Sequence, residues 1–314
     1  MYSLNKITKA ISLIALTLGC FALSPHARAD NTANGSIIES FPVGLAPWGM
    51  AFDGANIWVT SVNSDTITKL RASDGTLLGT FPAGGQTIFA VFDGAYVWVT
   101  NLYNNTVTRL RASDGTLQGT FPVGFFPTGI LFDGTNIWTA NQFENTVTKL
   151  RASDGVVLGT FPVNGNPIEL AFDGVNVWAT NFDTATVTKL RASDGELQGV
   201  FNVGNGATGI VFDGAHIWVS NDGENTVTKL LASDGRLLGT ASVGLVDRGL
   251  AFDGTHIWVT NSGDNTVMRL RRGNGAIQHT YAVDSYPVTI LFDGASIWVA
   301  NYFSNTVNKI SRNQ

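Results

Sequence analysis

The chain is 314 residues long, 44% apolar and only 14% charged, with 35 glycines and a formal net charge of −5. A folded body of this length buries about three quarters of the surface its unfolded chain exposes, so its core needs no disulfide or metal. The composition excludes a disordered or coiled-coil chain and suits tight-turned β structure; the acidic balance disfavours duplex nucleic acid, whose binding rests on basic contacts to phosphate.

The first 29 residues stand apart. Lys6 and Lys9 precede an apolar run from Ala10 to Leu23, and Ala27-Arg28-Ala29 offers the small-x-small pattern of a signal-peptidase site. Residues 1–29 therefore read as an export signal cut near Ala29, residues 30–34 as a short linker, and the mature protein as periplasmic or secreted. The apolar run is shorter than the ~20 residues a bilayer needs, so no membrane span is expected. A lipoprotein cut before Cys20 is the lesser alternative, because Thr17 stands where such sites usually carry leucine. Cleavage after Ala29 removes Lys6, Lys9, Arg28 and the only cysteine, leaving 16 basic against 24 acidic residues, a net charge of −8, and no disulfide.

Beyond the linker the chain repeats itself. Phe-Asp-Gly starts at Phe52, Phe92, Phe132, Phe172, Phe212, Phe252 and Phe292, and seven tryptophans, Trp58 to Trp298, keep the same 40-residue step. Within a unit, Gly49 to Phe52 reads as a first strand and Asp53-Gly54 as a tight hairpin turn. Asn56 to Thr60, rich in β-branched and aromatic residues, is the second strand. A polar loop leads to a third over Thr66 to Arg71, Ser73-Asp74-Gly75 turns again, and Thr76 to Pro82 is the fourth.

Pro42, Pro82, Pro122 and Pro162 all fall in fourth strands, which puts those strands at the sheet edge, since proline has no N–H for the ladder. First strands such as Gly209-Ile210-Val211-Phe212 are apolar on consecutive residues and read as buried on both faces, hence innermost. Seven such sheets satisfy their apolar faces by packing radially around an axis. The last unit ends without a fourth strand, and residues 35–44 match the missing piece. Residues 35–314 number 280, seven times 40, so the expected fold is an all-β seven-bladed β-propeller of four-stranded antiparallel blades, its ring closed by the N-terminal strand. Repeats then start at 45, 85, 125, 165, 205, 245 and 285.

With Trp98-Val99-Thr100-Asn101 and Trp258-Val259-Thr260-Asn261, each followed by Asn-Thr-Val at Asn105 and Asn265, the chain resembles the YVTN-repeat, YncE-like seven-bladed propellers, with Trp where the motif has Tyr. The resemblance spans the whole mature chain. It implies an exported propeller and names no substrate. WD40 repeats have a similar period but carry Gly-His and Trp-Asp marks that are missing here.

The two aspartate-glycine turns lie on one face and barely vary, as turn chemistry requires. The loops between strands two and three and those between blades open on the opposite face, and they differ in every unit. That face gathers Trp48, Tyr103, Phe125, Phe126, Phe143, Phe182, Tyr286, Tyr302 and Phe303, a grouping of aromatics that marks a binding surface. Two charges break their columns. Glu169 stands where other units have Gly, Phe or Thr, and Arg248 is the only charge at its position; both belong near the channel mouth, where they can orient a polar ligand or form an ion pair with each other or with Asp247.

The basic column Lys69, Arg109, Lys149, Lys189, Lys229, Arg269 and Lys309 is expected to pair with the turn aspartates while its stems cover apolar surface. His216 and His256 share a column near the uniform face and lack metal-ligand spacing. Asp222, Glu224 and Asp264 fall short of a full cation ligand set. No catalytic residue, metal or cofactor is therefore expected. The reading that follows is a monomeric, exported, non-catalytic binding module whose aromatic face takes a protein, peptide or glycan. The alternatives are a propeller enzyme resembling streptogramin lyases, which use a His and a Glu with Mg²⁺ at the channel mouth, and single-stranded DNA binding by base stacking, which the acidic charge opposes.

Overall fold

A computed structural model describes residues 36–245 and 247–312; the expected signal and linker lie outside them. Strand β1 (Ser36–Pro42) is followed by the first blade: β2 (Pro47–Phe52), β3 (Asn56–Ser61), β4 (Thr66–Arg71) and β5 (Leu77–Pro82). The same four-strand unit repeats to the last, β26 (Pro287–Phe292), β27 (Ser296–Asn301) and β28 (Thr306–Arg312). There are seven four-stranded antiparallel sheets, and the seventh has the order β1-β28-β27-β26. β1 pairs along β28 from Ser36 opposite Arg312 to Pro42 opposite Thr306, so the chain's start closes the ring onto its end.

The repeated words each have a bond to make. Trp58 is fully buried, and its indole N–H donates to Asp53 at 2.8 Å. Asp53 also accepts the backbone N–H groups of Ala55 and Asn56, so one carboxylate both closes the turn and satisfies the buried indole. All seven blades repeat this tie, from Trp98 on Asp93 to Trp298 on Asp293. Without it, each core tryptophan would bury an unpaired donor.

The asparagines of the Trp-Val-Thr-Asn and Asn-Thr-Val segments are equally structural. Asn101 donates to the hydroxyls of Thr106 and Thr108, holding strand two to strand three. Asn105 sits in the left-handed region, φ 54°, and accepts the N–H of Phe126 in the loop entering the next blade at 2.9 Å. Asn145, Asn265 and Asn305 make the same bond to Asn166, Tyr286 and Ala46.

The basic column departs from expectation. Lys69 lies over its own Trp58, 4.8 Å from the ring, but its ammonium donates to the carbonyl of Ala112 in the next blade and only approaches Asp53, at 4.0 Å. Lys149, Lys189 and Lys309 likewise donate to alanine carbonyls one blade on. The turn carbonyls win because each Phe-Asp-Gly carboxylate is already engaged by its indole. The arginines two residues later are the ones that pair with Ser-Asp-Gly aspartates, as Arg71 does with Asp74.

Strand ends differ by a residue or two from the sequence reading, and one difference positions the functional face. Inner strands begin at Pro47 and its equivalents, because a bulge lies between Pro47 and Met50, where Trp48 and Gly49 together oppose Thr60. An extra residue opposite one partner breaks the alternation that a sequence pattern assumes, and it re-aims side chains. Every inner strand has this bulge.

Candidate ligand-binding face

The bulges form a ring around the axis at the variable face. The Thr60 hydroxyl accepts the N–H of Gly49 at 2.8 Å and donates to the carbonyl of Ile88 in the next blade at 2.7 Å. Thr100, Thr180 and Ser220 repeat this clamp on Phe89, Glu169 and Gly209. Adjacent inner strands approach so closely that a Cβ on Gly129 would lie 2.7 Å from the Glu169 Cα, which explains why glycine dominates this column.

At the centre is a cavity lined by bulge residues, among them Trp48, Phe89, Glu169, Thr208, Arg248 and Thr289. Its free volume of about 30 Å³ is room for about two waters. Glu169, in β14 (Pro167–Phe172), extends toward β18 (Ala207–Phe212), and one carboxyl oxygen accepts the N–H of Ile210 at 2.9 Å. Burial pushes this carboxyl up to about 8, and the Ile210 bond only partly opposes the shift, so Glu169 is an uncharged acid at neutral pH.

Arg248, in β22 (Asp247–Phe252), pairs with Asp222 at 3.5 Å, and its guanidinium lies 5.8 Å from the Trp48 ring. Its Nε is buried and makes no hydrogen bond. Burial raises the Asp222 carboxyl and the Arg248 charge partly opposes this. Asp222 was not foreseen as the partner: it sits in the loop between strands two and three of its blade, 26 positions before Arg248, and no sequence spacing reveals that contact.

The aromatic residues form two clusters. Trp48, Tyr286, Tyr302 and Phe303 pack edge to face or tilted, with centroids 4.7 to 6.2 Å apart. Tyr103, Phe125, Phe126 and Phe143 form the second, with a closest pair at 4.7 Å between Phe126 and Phe143. Not all of them face solvent. Trp48 and Phe126 are buried, because the bulge turns Trp48 into the channel mouth and Phe126 is tucked under its neighbours; Tyr103, Phe125 and Phe303 are exposed at 56%, 49% and 44%. Phe143, Tyr286 and Tyr302 are half-buried, and Phe182, on a single 3-10 turn over Phe182–Thr184, belongs to neither cluster.

The face is thus lopsided. Both aromatic clusters sit on blades seven, one, two and three, while Asp222, Glu224 and Asp264 occupy loops of blades five and six. Glu224 accepts from Asn205 and Asp264 from the N–H of Leu245, so these carboxylates brace the loops. Among the described residues no three His, Cys, Asp or Glu are grouped to hold a metal.

No protein-family model matches the chain, and no curated protein matches it. Solved structures do. A streptogramin B lyase superposes with a TM-score of 0.77 at 19% identity, over 89% of this chain and 98% of the lyase. Virginiamycin B lyase from Staphylococcus aureus gives 0.76 at 19%, over 88% and 99%. A chain of Kuenenia stuttgartiensis hydrazine synthase gives 0.77 at 16%, over 94% and 99%. The shared property is the fold. This chain is a seven-bladed β-propeller.

The residues do not fit a lyase-like metal site built from a His and a Glu at the channel mouth. His216 and His256 bond through their backbone N–H groups to Asp213 and Asp253, in the Phe-Asp-Gly turns of the opposite face. His279 packs on Tyr281 in an outer strand, β25 (Ile277–Ala282). Among the described residues, no histidine lines the cavity with Glu169.

Proposed function

We propose that this propeller is an exported, non-catalytic binding module of the YVTN-repeat type, and that its aromatic clusters form a shelf for a peptide, protein segment or glycan chain. One observation carries the reading: Tyr103, Phe125 and Phe303 stand exposed on the variable face, each backed by packed rings that fix it in place. Rigid aromatic side chains offer large contact area at little entropic cost, which is why such residues dominate binding hot spots. The frame beneath them is tied by the turn aspartates and by the Thr60, Thr100, Thr180 and Ser220 clamps between blades, so the shelf is preorganised. The Trp-Val-Thr-Asn and Asn-Thr-Val columns and the amino-terminal signal pattern support the family assignment and export.

The test is binding to immobilised peptide and glycan libraries by the native protein and by the Tyr103→Ala/Phe125→Ala/Phe303→Ala variant. Because the three rings are exposed, the variant should keep its melting temperature while losing at least tenfold in affinity. Equal binding by both proteins would refute the shelf.

A further inference from the structure

We propose that the channel mouth is an end-group site that accepts a carboxylate, anchoring the terminus of a ligand whose body lies on the aromatic shelf. This rests on the reading of that face as the binding face. The donors and acceptors around the cavity are unbalanced. Arg248 holds Asp222 at 3.5 Å, an ion pair too long to be a hydrogen bond, and its buried Nε–H has no acceptor. Glu169 spends one oxygen on the Ile210 N–H and, as a neutral acid, has an O–H to donate. The Trp48 ring flanks the guanidinium, Phe89, Ile168 and Val288 supply apolar wall, and Thr208 and Thr289 complete the lining.

A ligand group that suits this mouth must bring acceptors and no donors, be flat, and displace about two waters. A carboxylate does all three, and planar guanidinium recognises it well. An ammonium brings only donors and is repelled by Arg248, whereas an amide carries an N–H that would face Arg248 or the Glu169 proton. Among the described residues, the charged groups lining the cavity are Arg248, paired with Asp222, and Glu169 once ionised. The carboxylate can be the C-terminus of a peptide or the acid group of a sugar.

The probes are N-acetylglycine and its amide for the peptide source, and glucuronate and glucose for the sugar source, titrated into the full propeller and followed by ligand-observed NMR. The expected result is binding of at least one acid, in the millimolar range, about tenfold or more ahead of its neutral partner. Preference for N-acetylglycine assigns a chain terminus, and preference for glucuronate a sugar acid. Affinity should fall as the pH rises past about 8, where Glu169 takes on charge and repels the ligand.

Arg248→Lys keeps the positive charge opposite Asp222 but removes the planar fork, and it should cost about tenfold; it also guards against misfolding of Arg248→Gln. If both acids bind no better than their neutral partners, the end-group site is overturned. The shelf is read separately, since Tyr103→Ala/Phe125→Ala/Phe303→Ala should leave N-acetylglycine binding intact while weakening longer ligands.

Discussion

The Phe-Asp-Gly aspartate and the Ser-Asp-Gly aspartate look alike in sequence and do unlike work. Asp93 takes the indole N–H of the fully buried Trp98 at 2.7 Å, whereas Asp74 caps an exposed turn and meets Arg71 in solvent. Asp93→Ala should therefore cost about 2 kcal/mol or more by orphaning a buried donor, and Asp74→Ala distinctly less, because water replaces its partners. Chemical denaturation of the two variants checks the ranking. Glu169 supplies a signed pH prediction. Its folded value lies near 8 against an ordinary 4.5, so between these the native state holds a proton the unfolded chain has lost, and stability falls as pH rises through that window. Glu169→Gln keeps an acceptor for the Ile210 N–H and cannot ionise. Its melting temperature should match the parent below about 4.5 and increasingly exceed it as pH rises, the gap levelling off above about 8; parallel curves for the two proteins would mean that the Glu169 carboxyl is not raised in the fold.

At the scale of the strand and loop, the ring depends on side chains that cross from one blade to the next. Asn105 combines a left-handed backbone with a bond to Phe126, beneath one of the aromatic clusters. Asn105→Gly should keep the conformation and lose the bond, costing about 1 kcal/mol, and Asn105→Ala should cost roughly 1 kcal/mol more because alanine resists positive φ. Thermal melts give the difference. Because the same bond orients the Phe125–Phe126 loop, both variants should also weaken shelf binding more than their stability loss explains. The bulge column was legible only in part. Sequence comparison singled out Glu169 and Arg248 as odd members, but the extra residue that turns Trp48 inward appears only when strand one is laid against strand two.

For the molecule as a whole, closure is the feature on which stability turns. β1 covers the edge of β28, and its Phe41 packs 5.7 Å from Trp298. Deleting residues 36–42 strips a blade of one strand and of the apolar contacts of Ile38 and Phe41, each about 2 kcal/mol. For a domain of this size that corresponds to a fall in melting temperature of about 10 °C or more, readable by circular dichroism. A truncated protein that melts with its parent would show that the ring does not need its closing strand. No helix among the described residues is long and apolar enough to cross a membrane.

The 40-residue period, the order of the four strands, the outer position of the proline strands and the closing role of the N-terminal strand were all written in the sequence. Each follows from local chemistry repeated seven times, and repetition averages out the ambiguity of any single turn or strand. Which aromatics face solvent, that Asp222 holds Arg248, and that the lysines bond the next blade's carbonyls were decided by tertiary structure alone. These are contacts between units about 25 to 45 residues apart, or consequences of one extra residue in a bulge. A pattern with period two carries no record of either, because it fixes which side of a strand a residue takes and not what the neighbouring blade brings to meet it.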